Sequence, residues 1–121
     1  MAVSIFTYPA LVANPCGGTS PVEVKFLVDT GGMFTCLPTP QLDALGLAPQ
    51  WRVPVMLAGG RQDEWMATEV LLTIDGRTMH TTCLFAPPGS LPLLGAVSLE
   101  QFALAVEPLS RILVPTRVPM A

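Results

Sequence analysis

Short stretches of alternating apolar and polar residues, broken by turn residues, run along most of this chain, and a period of two predicts strands. The most regular is Val22–Val28, with Val22, Val24, Phe26 and Val28 on one face and Glu23 and Lys25 on the other. A β-rich opening segment, Val3–Tyr8, precedes it across a loop holding Asn14, Pro15, Gly17 and Gly18. The alternation stops at Asp29-Thr30-Gly31-Gly32, and an apolar run, Met33–Leu37, follows at once. Val53–Leu57 and Trp65–Ile74 read as two strands with a turn at Gly59-Gly60 between them. Asp75-Gly76 is a strong two-residue hairpin signal leading into Arg77–Phe85. Beyond a Pro/Gly/Ser loop at Ala86–Pro92, the segments Ala103–Val106 and Arg111–Val114 read as two last strands joined by a turn at Glu107–Ser110.

Two short helices interrupt this pattern. Thr39 suits an N-cap, Pro40 the first helical position and Gly46 the stop, which predicts a helix over Pro40–Leu45. Ser98-Leu99-Glu100-Gln101 fits a capping box at the start of a second helix. Thirteen prolines in 121 residues, roughly twice the usual share, exclude long helices. No repeat, low-complexity segment or domain boundary is visible, so residues 1–121 are expected to form one mostly-β domain.

Composition narrows the function classes. Six basic against nine acidic side chains give a net charge of −3. A single lysine, Lys25, and scattered arginines do not make the cationic patch that nucleic acid requires. The mean hydropathy is high, +0.54, yet no window supplies the ~18 apolar residues of a membrane span. The apolar N-terminus lacks the basic residues of a secretory signal. Apolar excess in so small a chain points instead to a surface covered by self-association. The three cysteines, Cys16, Cys36 and Cys83, are too few and odd in number for a disulfide framework, which predicts a reducing cytoplasm.

Most catalytic schemes fail on inventory. A triad or a metal centre would have to be built on the one histidine, His80, which lies in a strand-like run, and no Gly-x-Ser-x-Gly elbow is present. A partly exposed strand histidine is the simpler reading. Asp29 stands out because it ends the most regular apolar strand. A carboxylate there must be hydrogen-bonded or paired, or become neutral. Thr30 offers a hydroxyl, and Gly31-Gly32 let backbone amides approach it. A plain hairpin turn would use the same four residues.

The wider context resembles a known family. Val28-Asp29-Thr30-Gly31-Gly32, then Leu37-Pro38, then a short helix ending Leu45-Gly46-Leu47, is similar to the active-site half of the retropepsin-like aspartic proteases. Leu91-Pro92-Leu93-Leu94-Gly95-Ala96-Val97-Ser98-Leu99-Glu100 resembles the second landmark of that family, and Ala105-Val106-Glu107-Pro108 with Ile112-Leu113-Val114 resembles its closing strands. The match runs over about Val22 to Pro115, so the core is placed at about 22–115. The resemblance implies an all-β, closed-barrel-like acid protease half-fold with one or two short helices, acting as a homodimer. It implies an aspartic endopeptidase of the cellular or bacterial branch that cleaves a peptide or protein substrate and needs no cofactor or metal.

By that resemblance Asp29, Thr30 and Gly31 are the catalytic residues, and Gly32, Ala58, Gly59, Gly60, Leu94 and Gly95 contact substrate. The hairpin Val53–Val70 corresponds to the flap, with Trp65 and Met56 as candidate pocket residues. A charged run, Arg61-Gln62-Asp63-Glu64, marks its solvated tip. The terminal segments Val3–Tyr8 and Arg111–Val118 are candidates for interleaving between subunits. Two departures stand out: Gly32 follows Asp-Thr-Gly where Ala or Ser is usual, and Ala96-Val97 follow Leu94-Gly95 where retroviral enzymes carry an arginine. Elementary acid–base chemistry also asks for a second subunit. Hydrolysis by carboxyls needs one ionised and one protonated group around a water, and Asp43, Asp63 and Asp75 lie in unrelated frames. A catalytically silent dimerisation or peptide-binding module of the same fold, and a small β-barrel ligand binder, remain the alternatives.

Overall fold

The computed structural model of the chain describes residues 6–121. Among the described residues nine strands and two six-residue helices form, in the order β1 (Phe6–Ala13), β2 (Val22–Val28), β3 (Thr35–Pro38), α1 (Thr39–Ala44), β4 (Trp51–Met56), β5 (Gln62–Ile74), β6 (Arg77–Ala86), β7 (Leu93–Leu94), α2 (Ala96–Gln101), β8 (Leu104–Glu107) and β9 (Ile112–Pro115). Neither helix is long enough to cross a membrane. The expected all-β class holds, and the two helices are where the turn chemistry put them, give or take a residue or two.

Strand alternation works as expected where one face meets the core. In β2, Val24, Phe26 and Val28 are buried, while Glu23 and Lys25 are exposed. Val22 shares their phase but lies at the strand's open end and is exposed. In β5 the in-phase set Thr68, Val70, Leu72 and Ile74 is buried. Asp75 and Gly76 both take positive φ (49° and 82°) between the paired residues Ile74 and Arg77, which is the backbone that a two-residue hairpin of the right twist needs.

The large sheet runs β1-β2-β7-β3-β6-β5-β4 and closes on itself where Leu11–Ala13 of β1 pair with Leu71–Thr73 of β5. Closure leaves β4 hanging from β5 as the outer half of a hairpin. The short strand β7 enters between β2 and β3, parallel to the first and antiparallel to the second. Inside the ring sit Phe26, Leu37, Leu72, Ile74, Leu94 and Phe102, all essentially without solvent contact. A smaller apolar cluster of Cys36, Ala67, Leu84 and Ala86 packs against Phe34, Val53, Val55, Trp65 and Leu93 and joins the β4–β5 hairpin to the ring.

Both helix starts correct the capping expectations. Helix α1 begins one residue earlier, at Thr39, with Pro38 at its N-cap and no side-chain cap. The Thr39 hydroxyl donates instead to the Ala86 carbonyl (2.8 Å), tying the helix to the end of β6. Its C-terminus does stop at Gly46, whose amide reaches the Asp43 carbonyl (2.9 Å). Asn14 and Thr19 donate to the Leu45 carbonyl there (3.0 and 3.3 Å). In α2 the capping box is absent because the helix starts at Ala96, which places Ser98 inside it and buried.

The terminal segments pair within the chain. Val3–Ile5 lie outside the described residues. Phe6–Tyr8 pair with Phe26–Val28 of the same chain, and Ile112–Pro115 pair with Leu104–Glu107. The described strands of these segments thus have one edge paired within the chain, which leaves the other edge for the expected interleaving.

Two measurements check this packing. Phe102 fills the ring and also stacks under the Arg77 guanidinium, 5.6 Å from its ring centre. Phe102→Ala is expected to lower unfolding free energy by about 3–5 kcal/mol in denaturant titration. Cys36 and Cys83 are buried and Cys16 is exposed. Burial pushes both buried thiols up in pKa, Cys83 far the more and with the nearby Cys36 adding to it. A thiol reagent should therefore modify Cys16 alone in the native chain and all three cysteines after unfolding.

Candidate active site

Asp29 follows the last residue of β2, so its position is set by the pairing of that strand with β7. The Leu27 amide donates to the Pro92 carbonyl (2.8 Å) and the Asp29 amide to the Leu94 carbonyl (3.4 Å). The chain then turns within four residues, the Gly32 amide donating back to the Asp29 carbonyl (3.2 Å). The half-buried Asp29 side chain bends into this turn and accepts the Gly31 amide at Oδ1 (2.9 Å). That local bond is the pairing expected of a carboxylate at the end of an apolar strand. Among the described residues no donor reaches Oδ2, which leaves that oxygen available to a water or a second carboxyl.

The loop is gripped from behind. The first two amides of α2, Ala96 and Val97, donate to the carbonyls of Gly32 and Met33 (2.9 Å each). These bonds satisfy amides that a helix start leaves unpaired, which explains how α2 begins without a capping side chain. Gly95 makes the close approach possible. A Cβ there would lie 2.6 Å from the Phe34 carbonyl oxygen and 2.7 Å from that of Met33. Gly31 is crowded too, since a Cβ would come to 3.1 Å from Asp29 Oδ1.

The structure sorts the expected site residues into three groups. Asp29, Thr30, Gly31 and Gly32 form one loop, with Thr30 exposed beside a cleft of about 310 Å³ between α2 and the segment 116–119. Ala58, Gly59 and Gly60 form the exposed tip of the β4–β5 hairpin, closed by bonds between Leu57 and Arg61 (2.7 Å) and between Gly60 and Leu57 (3.0 Å). Leu94 and Gly95 are both buried, and here the expectation of substrate contact is corrected. Leu94 fills the ring interior and its carbonyl holds the Asp29 amide; Gly95 lets α2 reach the loop. Both support the site instead of facing into it.

Cross-strand register divides the hairpin into two faces. Val53 opposite Trp65 and Val55 opposite Asp63 share the face that packs toward Phe34 and Leu93. Met56 opposite Gln62 lies on the other face and is exposed, where with Pro54, Gln62 and Glu64 it lines an open hollow of about 630 Å³. Arg61–Glu64 are exposed throughout, as a solvated tip should be. Asp63 is held by Trp65 Nε1 (3.3 Å), and Asp75 accepts the Tyr8 hydroxyl (2.9 Å). His80 is an exposed strand residue 3.1 Å from Glu69.

A closed β-ring with an Asp-Thr-Gly turn at the mouth of a parallel strand pair, and a hairpin projecting from the ring, is the retropepsin-like acid protease fold. The solved structures agree. The EIAV protease complexed with the inhibitor HBY-793 superposes with a TM-score of 0.58 at 24% identity, covering 79% of this chain and 86% of that one. The simian foamy virus (mac) protease in solution gives 0.53 at 17%, covering 78% and 94%. No curated protein matches. A family model described as aspartyl protease matches residues 15–97, and the chain belongs to that family.

Sequence reasoning missed the residues behind the loop: Thr35, Thr81 and Ser98, three buried hydroxyls, and the Ala96 and Val97 amides. Polar residues inside otherwise apolar runs were the available signal.

Gly95→Ala tests the close approach. It is expected to cost about 3 kcal/mol of stability in denaturant unfolding and to disturb the Gly32 and Ala96 amide resonances, whereas Gly60→Ala at the open tip should leave those resonances in place.

Proposed function

We propose that the protein is a homodimeric aspartic endopeptidase in which Asp29 of two copies forms one catalytic dyad. The observation that carries this reading is the state of Asp29 in a single chain. One carboxyl oxygen is fixed by the Gly31 amide, the side chain is half-buried, and the other oxygen is free of donors among the described residues. A lone carboxylate can hold a water but cannot at once accept its proton and donate one to the scissile carbonyl. Two such groups in contact can, because the second does not ionise while the first is charged. No other Asp lies in an Asp-Thr-Gly frame, which makes an identical subunit the source of the partner.

In this mechanism the ionised Asp29 takes a proton from the attacking water, while the protonated Asp29 of the second copy gives one to the carbonyl oxygen. The proton is returned to the leaving amine as the tetrahedral intermediate collapses. Thr30, exposed next to the dyad loop, meets the second copy, and Gly31 leaves room for an extended peptide. The β4–β5 hairpin acts as the flap, closing with the Ala58–Gly60 tip over the peptide backbone. Apolar side chains of the peptide suit the face formed by Val53, Val55, Phe34 and Leu93. A reducing cytoplasm is the proposed compartment, in keeping with three unpaired thiols.

The test is hydrolysis of apolar peptides at mildly acid pH. The wild-type chain should show a bell-shaped pH profile and sediment as a dimer. Asp29→Asn should lower kcat by about 10³-fold or more while leaving sedimentation unchanged. Asp29→Asn with full turnover, or an active chain that is strictly monomeric, contradicts the reading.

A further inference from the structure

One buried polar cluster has no part in the chemistry above. Thr35, Thr81 and Ser98 are each at most 2% exposed, on β3, β6 and α2. Thr81 Oγ1 donates to Gln101 Oε1 (2.6 Å), which commits its only proton. At the Thr81–Ser98 contact (2.7 Å) Thr81 must therefore accept and Ser98 donate. The same logic makes Thr35 the donor to Ser98 (2.6 Å). Thr35 in turn accepts the Gly95 amide (3.1 Å). The row thus runs in one direction, from the Gly95 amide through Thr35, Ser98 and Thr81 to Gln101, whose Nε2 donates to the His80 carbonyl (3.3 Å).

Its ends explain its importance. Thr35 opens β3 where the Asp29 loop finishes, and Gly95 immediately precedes the two amides that hold the Gly32 and Met33 carbonyls. The row therefore fixes α2 against β3 and β6 and sets where those amides stand. An apolar contact in the same place would tolerate sliding of the helix; a row of hydroxyls, each with one donor and one acceptor satisfied, does not.

We propose that this row positions the catalytic loop, with Thr35 as the positioning residue that fixes the height and tilt of Asp29 toward its counterpart. The proposal rests on Asp29 being half of a shared dyad. Loop displacement then acts on rate, because the reacting groups lose alignment. It also acts on titration, because the coupling of two carboxyls weakens as they separate.

Thr35→Val keeps the side-chain shape and removes both hydrogen-bonding functions; Thr35→Ser keeps the hydroxyl. In the full chain acting on an apolar peptide, Thr35→Val is expected to lower kcat about tenfold or more with KM changed less than about twofold. The two limbs of its pH–kcat profile should draw together. Thr35→Ser should return kcat to within about threefold of wild type and restore the limbs. Amide hydrogen exchange reads the same row without turnover: Gly95 and Ala96 should exchange about tenfold faster or more in Thr35→Val but not in Thr35→Ser.

Wild-type kcat and limb separation in Thr35→Val would overturn the proposal, as would Thr35→Ser losing as much as Thr35→Val. Should Thr35→Val fail to fold, Thr81→Val, further along the row, carries the same expectations and the same contrary outcomes. A wild-type chain without hydrolysis sinks the dyad reading; in that event unchanged exchange at Gly95 and Ala96 in Thr35→Val overturns the positioning role, and faster exchange supports it.

Discussion

Two backbone bonds organise this molecule: the first amides of α2, at Ala96 and Val97, held by the carbonyls of Gly32 and Met33. A helix of six residues has too few internal bonds to stand alone, and the Asp29 turn has no regular partner strand of its own. Each completes the other. The close fit also dictates sequence at a distance, since only glycine can occupy position 95 against the Phe34 backbone. Around this contact the parallel pair β2–β7 sets the height of Asp29, and the closed ring sets the height of β2.

Much of this was legible in the sequence, and for local reasons. The β2 alternation, the Asp75-Gly76 hairpin and the Gly46 stop each rest on chemistry confined to a few residues. What the sequence hid is non-local. Ser98 followed by Gln101 carries the signs of a cap, and Thr39 before Pro40 does too; only the folded chain shows their hydroxyls committed to β3, β6 and the Ala86 carbonyl. Leu94-Gly95 could be placed by resemblance but not by role, because burial of Leu94 depends on the insertion of β7 between β2 and β3. Register set Met56 and Trp65 on opposite faces, although both are apolar residues on the same hairpin.

The same hierarchy links the fold to the proposed chemistry. Rigid parts, the ring and α2, hold the acid; the hairpin that hangs from β5 carries the exposed glycine tip. An acid loop at the ring's mouth and a projecting arm suit an extended peptide chain better than a compact ligand, which would call for an enclosed cavity. The single chain offers one Asp-Thr-Gly aspartate, and the proposed dyad takes its second from another copy.

Subunit mixing tests that point most directly. Wild-type chain is exchanged to equilibrium with an equal amount of Asp29→Asn chain, and hydrolysis is measured per total protein. If each site needs the aspartate of both copies, random pairing leaves about one quarter of the wild-type activity. A value of about one half, as independent sites would give, would contradict the shared dyad.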